Sequence, residues 1–293
     1  MTVTLDLGRV RERLGASLFA MVAGPDGPQN RARIHETPGP RWFAEDRPIR
    51  QVHADASMFV GGLRALLLQS LHPLAMAGVA EHSDYRGDPW GRLQRTSTFL
   101  AVTTFGTAAD AQRAVDRVRG IHRRVHGVAP DGRPYRADDP HLLEWVHIAE
   151  VDSFLAAYQR YGTSRLDQRG RDAYVSDTAH VAEALGVIDP PRTEAALRSR
   201  LARFRPELRS TEAAREAARF LLLTPPLSLP ARAPYGVLAS AAVGLLPVWA
   251  RLPLRLPYLP VLESTGVRLA GGVLVGGIRW ALEANRAAGP ARS

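Results

Sequence analysis

The chain has 293 residues, 45% of them hydrophobic and 23% charged, which places it among globular polypeptides rather than disordered or fibrous ones. Cysteine is absent, and all 38 basic residues are arginine against 29 acidic ones, for a formal charge of +9. Disulfide frameworks, thiolate-held metals, Schiff-base enzymes and lysine-dependent phosphate loops are therefore excluded.

Residues 1–45 read as an N-terminal extension with a first helix, and 46–293 as a single α-helical domain. Asp6, Arg9, Arg11, Glu12 and Arg13 interrupt the first twenty-odd residues, which lack the pattern of a secretory signal, so a cytoplasmic location is expected. A helix is predicted over about 56–80 despite Pro73. Asp88-Pro89 opens a helix that closes at Gly106, and Thr107 caps another that runs to Gly127. Pro130-Asp131-Gly132 is a tight turn, flanked by a short strand pair, and Asp139-Pro140 opens a helix that ends at Gly162. Further helices are predicted over 166–185, 193–204, 211–223, 234–250 and 260–287, so the fold class is all-α. The longest uncharged run, 233–250, approaches the length of a membrane span, but Pro234 and Pro247 interrupt it and a docked helix is expected. The proline- and leucine-rich stretch 251–260 offers a weak membrane-surface contact. Because the arginines are scattered rather than gathered in one stripe, no nucleic-acid partner is expected.

Three helical faces carry chemistry. On the helix after Thr107, Ala111, Val115, Val118, His122 and Val125 form one stripe, with His122 near its centre and His126 a turn further on. A core histidine and a metal ligand are both consistent with that position, and His126 competes for the second role. On the helix after Asp88, Arg92, Arg95, Thr96, Phe99, Val102 and Thr103 share a face. Its two arginines either reach out to solvent and nearby carboxylates or dock a carboxylate-bearing ligand. On the helix after Asp139, Leu143, His147, Val151, Phe154 and Tyr158 form the apolar stripe, which again contains a histidine. Two core-facing histidines near a two-arginine face suit a haem, which needs an imidazole ligand, donors for its propionates and apolar walls.

The motifs His72-Pro73, Glu81-His82-Ser83, Arg92-x-x-Arg95-Thr96, Phe105-Gly106 and His122-x-x-Val125-x-Gly127 occur in that order. They continue into Asp131-Gly132-x-x-Tyr135-x-Ala137-x-Asp139-Pro140 and Trp145-Val146-His147. Together they resemble the rubber-oxygenase (latex-clearing protein) and MpaB-type oxygenase family, most clearly over 56–161 and more loosely at Leu246-Pro247-x-Trp249-x-Arg251. The resemblance implies a helical bundle with a globin-like core that binds haem b, acting with O2 on a hydrophobic small-to-medium substrate. It puts the axial iron ligand at His122, a propionate contact at Arg92, distal donors at Arg95 and Thr96, and a supporting cofactor contact at His147. Where rubber oxygenases carry a distal lysine this chain has Arg95, which neither ligates as a neutral amine nor readily loses a proton. Glu81 lies in the region of the glutamate those enzymes use. Two other readings remain: a haem-binding sensor or carrier without turnover, and a haem-free membrane-peripheral helical protein.

Overall fold

The computed structural model describes residues 6–287. Its helices are α1 (Leu7–Ala23), α2 (Gly27–Glu36), α3 (Pro48–His53), α4 (Met58–Gln69), α5 (Pro73–His82), α6 (Pro89–Phe105) and α7 (Ala108–His122). Strands β1 (His126–Val128) and β2 (Pro134–Arg136) follow, then α8 (Pro140–Tyr161), α9 (Gln168–Leu185), α10 (Glu194–Phe204), α11 (Glu212–Leu223) and α12 (Leu229–Leu245). The short turns α13 (Val248–Arg251) and α14 (Pro260–Leu262) lead through a π-helical turn at Glu263–Val267 into α15 (Arg268–Ala287). The fold is all-α, as expected.

The helix starts follow their capping residues. Asp88 Oδ1 accepts from Gly91 N at 2.8 Å and Asp139 Oδ1 from His141 N at 2.8 Å, with proline at the first position of both helices. Thr107 Oγ1 accepts from Asp110 N at 3.1 Å and opens α7.

Three expected boundaries differ. The helix expected over 56–80 is two helices, α4 and α5, bent by 108°. Pro73 has no N–H to continue α4, and His72 caps α5 instead, its Nδ1 accepting from Ala75 N at 3.4 Å. The helix expected to reach Gly127 stops at His122, and His126 pairs with Arg136 across the two-stranded sheet. His126 is thus on an exposed strand rather than one helical turn beyond His122. The helix expected over 234–250 starts earlier, at Leu229, and ends before Pro247.

α8 is the central element and packs against α3, α4, α9 and α10. Trp145 and Ile148 of α8 share the main core with Leu67 and Leu68 of α4, Tyr174 and Val175 of α9, and Leu197 of α10. Gly61 lets α4 lie directly on α8: a Cβ there would sit 2.7 Å from Phe154 Cδ1 and 3.1 Å from Phe154 Cα. α15 packs along α1 and against α12. By length and composition the segment Pro260–Ala284 is apolar enough to cross a membrane, and only 11% of its 18-residue apolar window is buried, unlike a core helix.

Candidate functional site

On α8, Leu143, His147, Glu150 and Val151 fall on one side at helical spacing and face a cavity closed by α3, α6, α7 and α9. The cavity has a volume of about 110 Å³, smaller than the roughly 300–1,000 Å³ of small-molecule and cofactor pockets, so its walls must move apart to admit a large ligand. Its walls are mostly apolar, with Phe99 and Leu100 from α6 and Val181 and Leu185 from α9. Set into those walls are three histidines, His53, His122 and His147, and the carboxyl group of Glu150.

The histidines differ in what their ring nitrogens touch. His53 has both engaged, Nδ1 2.8 Å from Thr104 Oγ1 and Nε2 3.3 Å from the Tyr174 hydroxyl. His122 Nδ1 and His147 Nε2 are buried and have no hydrogen-bond partner among the described residues. A buried polar atom left unmatched costs about 1–3 kcal/mol, so binding a group that satisfies either nitrogen is favoured. Burial pushes His53 down to about 3 and His147 down to about 4. It also lowers His122, against the opposing pull of Asp138. All three are therefore neutral imidazoles near pH 7, the form that ligates a metal.

The α6 residues lie elsewhere. Arg92, Arg95 and Thr96 are not among the residues lining the cavity, which on α6 begins at Phe99, one turn further along the helix. Arg95 is exposed and paired with Asp88 Oδ2 at 3.1 Å, while Thr96 Oγ1 donates to the Arg92 carbonyl at 3.0 Å. Arg92 is part-buried and donates to Ser83 Oγ, and among the described residues it has no carboxylate partner. Burial, and then the charge of Arg95, lower its pKa. Glu81 does not face the cavity either; it accepts from the Tyr135 hydroxyl above the β1–β2 pair.

Sequence reasoning missed His53, Glu150 and Tyr174. Glu150 left a signal, since it falls inside the Leu143–His147–Val151 stripe where an apolar residue belongs. His53 and Tyr174 left none, because only the crossing of α3 and α9 brings them together.

A second cluster joins His72, His141 and Glu207, whose potential ligand atoms all lie within 4.8 Å of one another. Glu207 Oε2 is 2.8 Å from His141 Nε2 and 3.5 Å from His72 Nε2. His72 Nδ1 already accepts from Ala75 N, which in a neutral ring puts the proton on Nε2, facing Glu207. In that tautomer the Nε2 proton faces Glu207 without a hydrogen bond among the described residues, and a metal at Nε2 would require His72 to give up its capping bond.

Comparison with known proteins adds family information. The profile for the catalytic domain of the endoplasmic-reticulum-bound oxygenase MpaB and the rubber oxygenases matches residues 50–280. Uncharacterized proteins of Mycobacterium bovis and Mycobacterium tuberculosis are each 32% identical over 100 residues, 34% of this chain. The match spans 38% of the length of either relative. No solved structure matches the chain.

Proposed function

Because the chain belongs to the family of the MpaB-type and rubber oxygenases, we propose that it is a haem b-dependent oxygenase that acts with O2 on a hydrophobic small-to-medium substrate. The observation that carries this reading is the unpartnered His122 Nδ1, buried in an otherwise apolar cavity wall. Haem needs an available imidazole nitrogen, flat apolar walls and cationic groups for its propionates. His122 offers the first, Phe99, Leu100, Val146 and Leu185 the second, and the carboxylate-free Arg92 the third. The residues fit. In this assignment His122 is the iron ligand, Arg92 holds propionate charge, and His147 adds a polar contact in the wall.

Haem b, when bound, supplies the activation of O2. The aliphatic walls would exclude water and His122 would hold and orient the ring. For Arg95 and Thr96 to donate to a group bound in the cavity, which neither lines, Arg95 would have to leave Asp88 and the Thr96 hydroxyl would have to leave the Arg92 carbonyl. Both bonds are at the solvent-exposed end of α6, where exchanging them for a ligand is inexpensive.

The test is an absorbance spectrum of protein expressed with haem precursor, beside His122→Ala. A Soret band that co-purifies with the wild type and collapses or shifts in the variant is expected, followed by O2 consumption with apolar substrates. A colourless wild type that does not take up added haemin would overturn the assignment. A haem band without O2 consumption would favour a sensor or carrier.

A second observation supports contact with a membrane surface. Leu252, Leu259, Val261, Leu262, Leu269 and Val273 are all exposed. Between them Arg255 and Arg268 make no ion pair among the described residues, while Glu263 is tied to Arg251 at 2.6 Å. Apolar side chains beside unpaired arginines match the surface of an anionic bilayer, from which an apolar substrate would be taken up.

A further inference from the structure

The cavity has a second polar pole. Glu150 lies one helical turn beyond His147 and faces the same space, and among the described residues its carboxyl makes no hydrogen bond or ion pair. Every titratable group that faces it is uncharged near neutrality. From α3, His53 is held neutral between Thr104 and Tyr174, and from α7 and α8 so are His122 and His147. From α9, Tyr174 is buried, and its phenol is raised well above its usual range by burial and then by the nearby Glu150 and Asp177. Asp177, a turn further along α9, is committed to Arg47. Among the described residues no arginine lines the cavity.

An acid set among neutral groups in an apolar wall keeps its proton, because no cation compensates the lost hydration of the carboxylate. Burial raises Glu150 to about 7. A group balanced near the ambient pH can give up a proton and take it back, as general acid–base catalysis requires. None of the other cavity groups shares this property: the histidines stay neutral and the phenol stays protonated.

We propose that Glu150 is the acid–base group of this cavity, exchanging one proton with an oxygen atom of an uncharged ligand bound between it and His122. In the forward step the Glu150 O–H bond breaks, the proton goes to the ligand oxygen and the carboxylate remains. In the return step that carboxylate takes a proton from the ligand or from a water admitted with it, so the group is restored without an oxidant or reductant. For the substrate, the lining around Glu150 also sets specificity: a permanently charged group placed beside this carboxyl would lose its hydration and gain no partner there. This inference rests on the proposed oxygenase reading for its reaction, but not for the state of the carboxyl.

The experiment compares the wild type with Glu150→Gln and Glu150→Asp in three ways. Infrared difference spectra need no haem. A protonated-carboxyl C=O band is expected in the wild type at pH 6, lost by pH 9, and absent from Glu150→Gln. Urea unfolding across pH supplies the second readout. The unfolded chain releases the Glu150 proton near its usual 4.5 and the folded chain only near 7. Wild-type stability should therefore decline as pH rises through that window, and in Glu150→Gln the decline should flatten. The third readout is turnover, with kcat of Glu150→Gln down by about 10²–10⁴-fold, little change in KM, and partial rescue in Glu150→Asp. No infrared band at pH 6, or an unchanged kcat in Glu150→Gln, overturns the proposal. A colourless protein that still shows the band would reject the haem reading and leave Glu150 as the proton-holding group of a different site.

Discussion

Buried charges in this chain are used as fasteners between distant segments, and Asp55 is the clearest. Its carboxylate accepts from Ser57 N at 2.7 Å, Thr163 Oγ1 at 2.8 Å, and Arg279 Nη2 and Nε at 3.0 and 3.1 Å. Arg279 also donates to the Tyr161 carbonyl at 2.9 Å, so one ion pair ties α15 to the end of α8 and to the loop before α4. Burial pushes Asp55 up, but Arg279 and the donated hydrogen bonds outweigh it and hold the carboxyl below its usual value. Asp55→Ala leaves Arg279 part-buried without its counter-charge and should lower stability by about 3–5 kcal/mol in urea unfolding at pH 7. Because the folded pKa is depressed, this contribution is present above the ordinary carboxylate range and is lost as pH falls through the folded value. A loss within the scatter of surface ion pairs would show that the fastening is dispensable.

At the scale of elements, the contact between α4 and α8 shapes the core on which the cavity rests. It depends on Gly61, where even a methyl group meets the backbone of Phe154 as well as its ring. At its neighbour Gly62, a methyl group would have nothing within 4 Å. Gly61→Ala should destabilise by about 1–3 kcal/mol through overpacking. Gly62→Ala should be neutral or stabilising by up to about 1 kcal/mol, since alanine is the better helix former. Thermal melts of the two variants separate packing from helix propensity, and equal effects would refute the close-approach argument.

For the molecule as a whole, charge and apolar surface are distributed unevenly. The cavity lining holds no arginine, while the region from Leu252 to Val273 exposes both leucines and arginines that make no ion pair among the described residues. Tyr258, exposed and lying under the Arg251 guanidinium at 5.3 Å, adds an aromatic group of the kind found at lipid interfaces. The protein should co-sediment with vesicles containing anionic phosphatidylglycerol, less with phosphatidylcholine alone, and less in high salt. Leu262→Ser with Leu269→Ser should release it. Retention of the double variant, or equal indifference of the wild type to both vesicles, would remove this surface from consideration.

What the sequence determined by itself was local. Caps at Asp88, Thr107 and Asp139 and the apolar spacing behind them defined α6, α7 and α8, because a helix start and a helical stripe are written in residues only a few positions apart. His122 and His147 were legible for the same reason, as polar residues at core-facing positions of those stripes. The family resemblance was legible as an ordered series of motifs, and the matching profile extends it over 50–280. The tertiary structure alone decided which polar faces meet. It turned the chain by 108° at Pro73, placed His126 on a strand, and left Arg95 and Thr96 outside the cavity wall. It brought His53 and Tyr174 from α3 and α9 to the same space as Glu150. Spacing along one helix specifies a direction about that helix axis, whereas a cavity is the intersection of several such directions, and that depends on how the helices pack.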